Sequence, residues 1–546
     1  MSVVVYHRAR VHPDAGPRVS ADALATVFGR LLAVGRADEI EAAFPRARRV
    51  DLRGLHVFPG LIDAHLHFVS YGMGLLQVEL RQTRSIAEAS RLLTQRAAES
   101  PAGAWVLGRG WDKNVWAEGR FPTRHDLDPL TADHPCASWS KDGHVFWVNS
   151  AALRLARITR ATADPPGGVI SRDGSGEPDG ILKEEAKTLV QRILPDPTPE
   201  MREQAVAAAS AEFHRLGLTG VHAFTGAAAE GPDQFAVLQR LHARGELAIR
   251  TVATVPDRLI DAAAAAGMTT GVGDPMLRVG ALKIFADGAL GSQTASMLEP
   301  YAGQPGNVGI QVRTPEEIDE FVRKAVDAGF WTAIHAIGDR ANREVLDVYE
   351  RHDQASRRLG ARHRIEHVQV VDPDDLPRLA RLGIVASMQP IHATADRDIA
   401  DRYWGIRARW SYAWRSLAAT GAVLAFGSDA PVETPDPWRG LYAAVTRQRE
   451  EEPAVPSWYP QECLSLEQAF GAYTTGPAYA AGTEAWQGRL ILGSVADFIV
   501  LDRDPHAGSP EDLLRVQVLA TIVDGRVRYA TGALAGIAAQ HEEESS

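Results

Sequence analysis

The middle of the chain alternates short, nearly continuous apolar runs with longer segments whose apolar residues recur at helical spacing. Continuous apolar runs are typical of strands buried on both faces, and strands that alternate with helices predict a parallel sheet covered on both sides. The pattern predicts eight such strands, at residues 57–62, 219–224, 249–255, 278–285, 331–335, 364–368, 384–388 and 423–427. Eight strand–helix units indicate a (β/α)8 TIM barrel, an α/β fold, which we place at residues 58–487.

The helix between the fourth and fifth strands has the clearest start and stop signals. Thr314 occupies the N-cap position, Pro315 the first helical position, and Glu317 completes a capping box. Gly329 supplies the left-handed residue that commonly follows the end of a helix. These signals predict a helix that begins after Thr314 and ends before Gly329.

Both ends of the chain carry short apolar runs separated by turns, which is typical of β structure. We predict that residues 1–57 and 488–540 pair into one small β-sandwich domain, in which Asp524 and Gly525 form a hairpin turn. Residues 541–546 are polar and are expected to form a flexible tail.

A long interval, about 150 residues, separates the first two barrel strands and far exceeds an ordinary strand–helix connection. We predict that residues 70–197 form an insertion that folds over the barrel mouth, with a glycine-rich hairpin at 167–180. Because the loops of a barrel select its substrate, this insertion is expected to decide the substrate.

Composition and charge narrow the functional class. The 546 residues are 45% hydrophobic and 23% charged, and the net charge of −11 argues against a nucleic-acid partner. Two cysteines, Cys136 and Cys463, are too few for a disulfide framework. The sequence shows no signal-peptide pattern and no run of ~18 apolar residues that would predict a membrane span. We therefore expect a cytoplasmic enzyme with a small-molecule substrate and no membrane or nucleic-acid partner, for which a homodimer is plausible.

The first candidate ligands follow the first predicted strand. His65 and His67 are two residues apart, so on an extended chain both side chains face the same way and can bind one metal ion. Asp63 has the same parity and would steady one imidazole or bind a second ion. On its own, a His-x-His pair is equally compatible with two structural histidines at the end of a strand.

Chemically reactive residues also stand at the C-terminal ends of four other predicted strands. They are Lys283 in the fourth strand, His335 in the fifth, His367 in the sixth and Asp429 directly after the eighth. In a TIM barrel these strand ends meet at one rim, where the active site lies. The six residues are therefore expected to converge on one site.

This ordered set resembles the amidohydrolase superfamily of metal-dependent hydrolases. Three shorter motifs, Lys-Asp-Gly-His at 141–144, Lys-Ile-Phe-Ala-Asp-Gly at 283–288 and His-Ala-Ile-Gly-Asp at 335–339, resemble the branch that includes N-substituted formamide deformylase. The segment 493–502 also resembles the closing β segment of this family. The resemblance covers nearly the whole chain.

The resemblance implies a binuclear metal centre that holds zinc or another divalent ion, such as manganese or iron. The implied ligands are, for one ion, His65, His67 and Asp429 and, for the second, His335 and His367. Lys283 would bridge both ions as a carbamate formed with CO2, because an ammonium group has no lone pair to donate. A single-ion site, in which Lys283 forms a salt bridge or a hydrogen bond, remains open.

The resemblance also implies the reaction, which is hydrolysis of a non-peptide carbon–nitrogen bond in an amide or an N-substituted formamide. A divalent metal lowers the pKa of a bound water to about 7 and polarises the substrate carbonyl. Asp429 would accept the proton of the attacking water and deliver it to the leaving nitrogen. Esterase, lactonase, phosphotriesterase and deaminase activities are alternatives at the same centre, and a non-catalytic scaffold is the alternative from another class.

Four further residues are candidates for substrate binding: Asp142, His144, Trp111 and Asp287. Asp142 and His144 belong to a loop that either faces the substrate or forms a plain turn. Trp111 is either a substrate platform or a core residue. Asp287 either supports a metal ligand or stabilises a turn.

Overall fold

The computed structural model describes residues 3–131, 134–141, 144–224 and 234–536. The chain forms two compact units, one from Met1–Tyr71 with Ala209–Ser546 and the other from Gly72–Ala208. The predicted flexible tail at 541–546 lies outside the described residues. Within the described part of the chain, no helix combines the length and the apolar character that a membrane crossing requires.

The strands are short, and most of them are buried. In chain order they are β1 (Val4–His7), β2 (Arg10–Val11), β3 (Ala23–Val27), β4 (Arg30–Gly35), β5 (Arg48–Asp51), β6 (His56–Pro59), β7 (Leu61–Leu66), β8 (Val78–Glu79), β9 (Val106–Trp111), β10 (Cys136–Ser140), β11 (Val145–Val148), β12 (Gly168–Arg172), β13 (Pro178–Glu184), β14 (Leu218–Ala223), β15 (Arg250–Pro256), β16 (Leu277–Phe285), β17 (Thr332–Ala336), β18 (Arg364–His367), β19 (Val385–Met388), β20 (Leu424–Phe426), β21 (Phe498–Leu501), β22 (Val518–Val523) and β23 (Arg526–Ala530).

The helices lie mainly between the strands of the middle of the chain. They are α1 (Ala37–Ala43), α2 (Phe68–Leu75), α3 (Ile86–Glu99), α4 (Asp128–Thr131), α5 (Ser150–Leu155), α6 (Thr188–Gln191), α7 (Pro199–Leu216), α8 (Gln234–Ala243), α9 (Ile260–Ala265), α10 (Pro315–Asp327), α11 (Asp339–Leu359), α12 (Leu376–Leu382), α13 (Pro390–Trp404), α14 (Trp414–Ala419), α15 (Pro437–Thr446), α16 (Leu466–Ala472) and α17 (Thr475–Ala481). The capping signals predicted α10 correctly: Thr314 accepts a hydrogen bond from Glu317 N, and the Glu317 side chain returns one to Thr314 N.

Eight parallel strands form the predicted TIM barrel, in the order β7-β14-β15-β16-β17-β18-β19-β20. Each strand pairs in parallel with the next one in this order. Seven of the predicted strands agree with the observed ones to within one residue at each end. All but β18, which reads Arg-Ile-Glu-His, are mainly apolar runs. The α/β fold class is therefore confirmed.

The first predicted strand, 57–62, is wrong in its bounds because it merges two strands. β6 belongs to a sheet of the small β domain, and the barrel strand is β7, which includes His65. Gly60 separates the two, and a Cβ there would lie 2.1 Å from the Thr219 side chain. Both strands are fully buried, and the residues next to Gly60 on either side, 57–59 and 61–62, are all apolar, so no change of polarity marks the boundary between the strands.

The two ends of the chain form the predicted small β sandwich. One sheet has the order β4-β3-β1-β5, and the other has the order β2-β6-β21-β22-β23. The N-terminal β6 pairs antiparallel with the C-terminal β21, which places Phe58 opposite Ile499. Tyr6 from the first sheet meets the Phe498 ring edge-on at 5.0 Å, so the two sheets share one apolar core. β22 and β23 form the predicted hairpin.

The unit Gly72–Ala208 has its own sheet, in the order β12-β13-β11-β10-β9-β8. β12 and β13 pair antiparallel and form the predicted glycine-rich hairpin. Trp111, Trp116 and Trp147 pack against one another with ring centroids 5.6 to 6.4 Å apart, and all three are buried. The predicted place of this insertion over the barrel mouth stays a prediction.

Candidate metal centre

The barrel closes where the segment after β20 meets β7, and this closure positions the first ligand candidates. Asp429 N donates a hydrogen bond to His65 O at 2.7 Å, and His67 N donates one to Ala430 O at 2.8 Å. Only glycine fits at position 427, since a Cβ there would lie 2.4 Å from His65 N. These two backbone hydrogen bonds hold residues far apart in sequence side by side. The Asp63 side chain adds a third link, since its Oδ1 accepts from Ser428 N, 365 positions away.

Donor atoms of His65, His367 and Asp429 converge within the barrel. One ligand atom from each residue lies within 4.8 Å of the others, and all three residues are buried. The Asp429 Oδ1 atom is 3.5 Å from His65 Nε2 and 3.2 Å from His67 Nε2. Imidazole nitrogen and carboxylate oxygen are the donors that zinc takes, so this cluster has the chemistry of a divalent-metal site.

Hydrogen bonds at Nδ1 fix the orientation of two of the imidazoles, His65 and His367. His65 Nδ1 lies 2.6 Å from the Glu366 carboxylate, and His367 Nδ1 lies 2.9 Å from Gln389 Oε1. Both partner oxygens accept, so each Nδ1 carries the proton and each Nε2 keeps its lone pair. Ligating histidines commonly donate their other N–H to a carboxylate or carbonyl in this way, which fixes tautomer and orientation.

His335 and Lys283 lie beside this cluster. The His335 ring centroid is 4.6 Å from that of His367, and His335 Nε2 donates to Gly288 O at 2.9 Å, which leaves Nδ1 with the lone pair. Lys283 Nζ is buried between two aromatic rings, 5.0 Å from the centroid of Phe224 and 4.6 Å from that of Phe285. Burial lowers the pKa of Lys283 to about 8, so its amine loses its proton more readily than an exposed lysine does.

Burial also sets the charge states of the cluster. It lowers the pKa of His65 to about 4 and that of His335 to about 3, so both rings are neutral near pH 7. Burial alone would raise the pKa of Asp429, but the hydrogen bond from His67 and the neighbouring imidazoles hold it well below its usual range. The site therefore presents the ionised Asp429 carboxylate together with the neutral rings of His65 and His335, which is the state that binds a cation.

The backbone is strained at two of these residues. His367 has φ +77° and Asp429 has φ +58°, in the left-handed region that residues other than glycine rarely adopt. Strain of this kind persists where the surrounding structure enforces it, and it is concentrated at functional sites. His367 is the last residue of β18, and Asp429 lies in the segment that follows β20, so the strain directs their side chains into the cluster.

Sequence analysis missed the polar network behind the cluster. Glu366 is fully buried, and Arg364 forms an ion pair with it and donates a 2.9 Å hydrogen bond to His222 Nδ1. A signal was present, because two charged residues in a four-residue buried strand require partners. The charge of Arg364 and the His65 hydrogen bond hold the pKa of Glu366 below its usual range even though burial would raise it.

Two residues after β19 were also missed. Gln389 orients His367, and the buried His392 has its Nε2 3.8 Å from Asp429 Oδ2. Among the described residues His392 Nε2 has no hydrogen-bond partner. Their position directly after a predicted barrel strand was the available signal.

The two aspartates near the cluster are engaged by the backbone. Asp63 accepts hydrogen bonds from His65 N and Ser428 N, and burial raises its pKa to about 7. Asp287 accepts from Ser296 N, Ile337 N and Gly338 N, and its Oδ1 lies 3.5 Å from His335 Nε2. Asp287 therefore fastens the loops around His335, and contact with a substrate stays a prediction.

The other substrate-binding candidates lie in the unit Gly72–Ala208. Asp142 falls outside the described residues. His144 is exposed, and its Nδ1 lies 2.9 Å from the Glu184 carboxylate. Trp111 is 1% exposed and donates its indole N–H to Ser138 O, although its edge lines a cavity of about 420 Å³. Substrate binding by these residues stays a prediction.

Replacement of Gln389 by methionine is expected to weaken metal binding about 10- to 100-fold, because the His367 ring loses the acceptor that orients it. Competition with a chromophoric chelator measures this affinity. Gln95→Met is the matched control, since Gln95 is exposed on α3 and its amide donates a hydrogen bond to the exposed Glu99 side chain. Equal affinity in the wild type and Gln389→Met would show that Gln389 does not orient a ligand.

Comparisons with known proteins agree along most of the chain. A model of the amidohydrolase family matches residues 48–529. YtcJ of Bacillus subtilis strain 168, named as an amidohydrolase, is 34% identical over 490 residues, which cover 89% of this chain and 91% of that protein. N-substituted formamide deformylase of Arthrobacter pascens is 29% identical over 93% of this chain and 95% of the relative. The crystal structure of an uncharacterized metal-dependent hydrolase from Pyrococcus horikoshii OT3 matches with a TM-score of 0.76 and 28% identity, covering 93% of this chain and 99% of that one.

Proposed function

Since the chain belongs to the amidohydrolase family, we propose that it is a metal-dependent hydrolase that cleaves a non-peptide carbon–nitrogen bond in an amide or an N-substituted formamide. The observation that carries the proposal is the convergence of His65, His367 and Asp429 donor atoms within 4.8 Å, with neutral imidazoles around one carboxylate. Such a donor set fits a divalent ion of the zinc class.

The proposed ligands fall into two groups. Oriented lone pairs and the short distances to Asp429 support His65, His67, His367 and Asp429 as ligands of one ion. The nearness of His335 to His367 supports a second ion, which His335 would share with a carbamylated Lys283. A lowered pKa favours carbamylation, because the unprotonated amine is the form that adds CO2.

Asp429 is the proposed proton carrier. A divalent ion supplies Lewis acidity, which lowers the pKa of water to about 7 and polarises a carbonyl. Asp429 remains ionised near pH 7 because His67 hydrogen-bonds it and the imidazoles surround it, so it can accept the proton of the attacking water. The same carboxyl then delivers that proton to the leaving nitrogen, which departs as a neutral amine.

The substrate class rests on a relative. N-substituted formamide deformylase is similar to this chain over 95% of its own length. This similarity supports cleavage of the bond between a small acyl group and a substituted nitrogen. Metal-dependent hydrolases also cleave esters, lactones and phosphotriesters. A panel of substrates must therefore test whether the leaving atom is nitrogen or oxygen.

Removal of metal with a chelator is expected to abolish hydrolysis of N-substituted formamides and amides, and zinc is expected to restore it. Chromatographic detection of the released amine measures both steps across the panel. Chelator-treated protein returned to metal-free buffer is the control for irreversible loss. An unchanged rate of hydrolysis after chelation would reject a metal-dependent mechanism. If esters, lactones or phosphotriesters were hydrolysed faster than any amide or formamide, the assignment to a carbon–nitrogen bond would be wrong.

A further inference from the structure

A second cluster of metal-ligating side chains lies in the small β domain. One donor atom from each of His12, His56 and Asp504 lies within 4.8 Å of the others. His12 is fully buried and His56 is 8% exposed, while Asp504 is partly buried. None of these residues belongs to the centre in the barrel.

The fold brings these residues together from both ends of the chain. His12 directly follows β2, and His56 begins β6, which pairs in parallel with β2. Asp504 follows β21, which pairs with the other edge of β6. The cluster therefore spans three adjacent strands, and it connects the N-terminal and C-terminal halves of the domain.

Hydrogen bonds fix the tautomer of His12. Its Nδ1 lies 2.9 Å from Gly16 O, and because a carbonyl only accepts, Nδ1 carries the proton. Its Nε2 therefore has the lone pair, and this atom faces His56 Nδ1 at 3.0 Å. An imidazole whose distal N–H is held by a backbone carbonyl is the arrangement that ligating histidines commonly show.

Asp504 supplies the negative charge. One carboxylate oxygen accepts a hydrogen bond from His506 N at 2.9 Å, which orients the group toward the two imidazoles. The His12 ring is held on its other side by Phe58, with ring centroids 4.1 Å apart and planes 12° from parallel. The apolar Phe58 ring therefore packs against His12 beside the three converging donor atoms. Two imidazoles and a carboxylate are a ligand set that zinc binds.

We propose that His12, His56 and Asp504 bind a divalent ion of the zinc class, separate from the ion or ions of the barrel. The ion takes the lone pairs of His12 Nε2 and His56 Nδ1 in place of the hydrogen bond between them, and water completes its coordination. Binding shifts the tautomer of His56: its proton moves from Nδ1 to Nε2, so the ring stays neutral. The ion stabilises the folded domain, because its ligands are far apart in the unfolded chain.

Zinc stoichiometry tests the proposal on the full chain. Protein stripped with a chelator is dialysed against zinc, freed of excess by gel filtration, and analysed for zinc per chain by mass spectrometry. His56→Gln and Asp504→Asn are each expected to bind one zinc fewer than the wild type. His7→Gln and Asp502→Asn are the matched controls and are expected to bind the wild-type amount, since His7 pairs with Glu41 and Asp502 accepts from Gln517 N.

A variant without the four barrel histidines keeps the test decisive if the small-domain variants do not fold. The quadruple variant His65→Ala/His67→Ala/His335→Ala/His367→Ala is expected to retain one zinc per chain, and its thermal midpoint is expected to rise when zinc is added. Equal zinc content in the wild type, His56→Gln and Asp504→Asn would leave only a hydrogen bond between two histidines and would overturn the proposal. Absence of zinc from the quadruple variant would overturn it as well.

Discussion

Replacement of Asp429 by asparagine is expected to lower kcat roughly 100- to 10,000-fold at saturating zinc, the range associated with loss of a general acid–base group. Asparagine has the same shape but neither accepts a proton nor carries the charge that offsets a bound cation. The fold is expected to survive, because the backbone N–H of residue 429 still donates to His65 O.

Steady-state kinetics on the best formamide or amide of the panel measure this effect, with circular dichroism as the check on folding. Asp398→Asn is the matched control, since the Asp398 carboxylate is exposed and pairs only with arginine side chains at the surface. Retention of wild-type kcat in Asp429→Asn would remove Asp429 from the chemistry and leave it, at most, as a structural carboxylate.

Replacement of Arg364 by leucine is expected to lower the free energy of unfolding by about 3–5 kcal/mol, because it leaves the Glu366 charge buried without its partner. The guanidinium crosses the interior of the barrel and donates to Ala64 O, His222 Nδ1 and Glu366. Its loss removes bonds to three different strands at once. Metal affinity is expected to fall too, since Glu366 also orients His65.

Urea unfolding followed by tryptophan fluorescence measures the change in stability. Arg351→Leu is the matched control: its ion pair with Asp319 is half exposed, so the expected loss is below about 1 kcal/mol. Similar losses in the two variants would mean that the buried charge of Glu366 is neutralised by some other route.

The barrel could be predicted from the sequence because its signals are local. Six of the seven correctly bounded strands are mainly apolar runs, the exception being β18 with its Arg-Ile-Glu-His sequence, and α10 carries its own capping box. Lys283, His335, His367 and Asp429 could be placed at one rim because parallel strands end at the same edge. The merged strand at 57–62 shows where this signal fails, since Gly60 separates two equally buried runs that belong to different sheets.

The network that orients the ligands could not be predicted in the same way. His65 and its partner Glu366 are 301 residues apart, and Asp63 and its partner Ser428 are 365 residues apart, so only the three-dimensional register of the strands brings them into contact. The left-handed backbone at Asp429 is likewise imposed by barrel closure and leaves no mark in the sequence. The histidines of the small β domain were passed over because His12 and His56 lie apart in sequence and meet only through the pairing of β2 with β6.

Anomalous diffraction at the zinc edge, from crystals of zinc-loaded protein, tests most directly whether residues scattered along the chain hold a metal ion together. The account predicts a peak inside the barrel about 2.0–2.2 Å from His65 Nε2, His367 Nε2 and an Asp429 carboxylate oxygen. A barrel without a peak at this position, in protein that contains zinc, would contradict it.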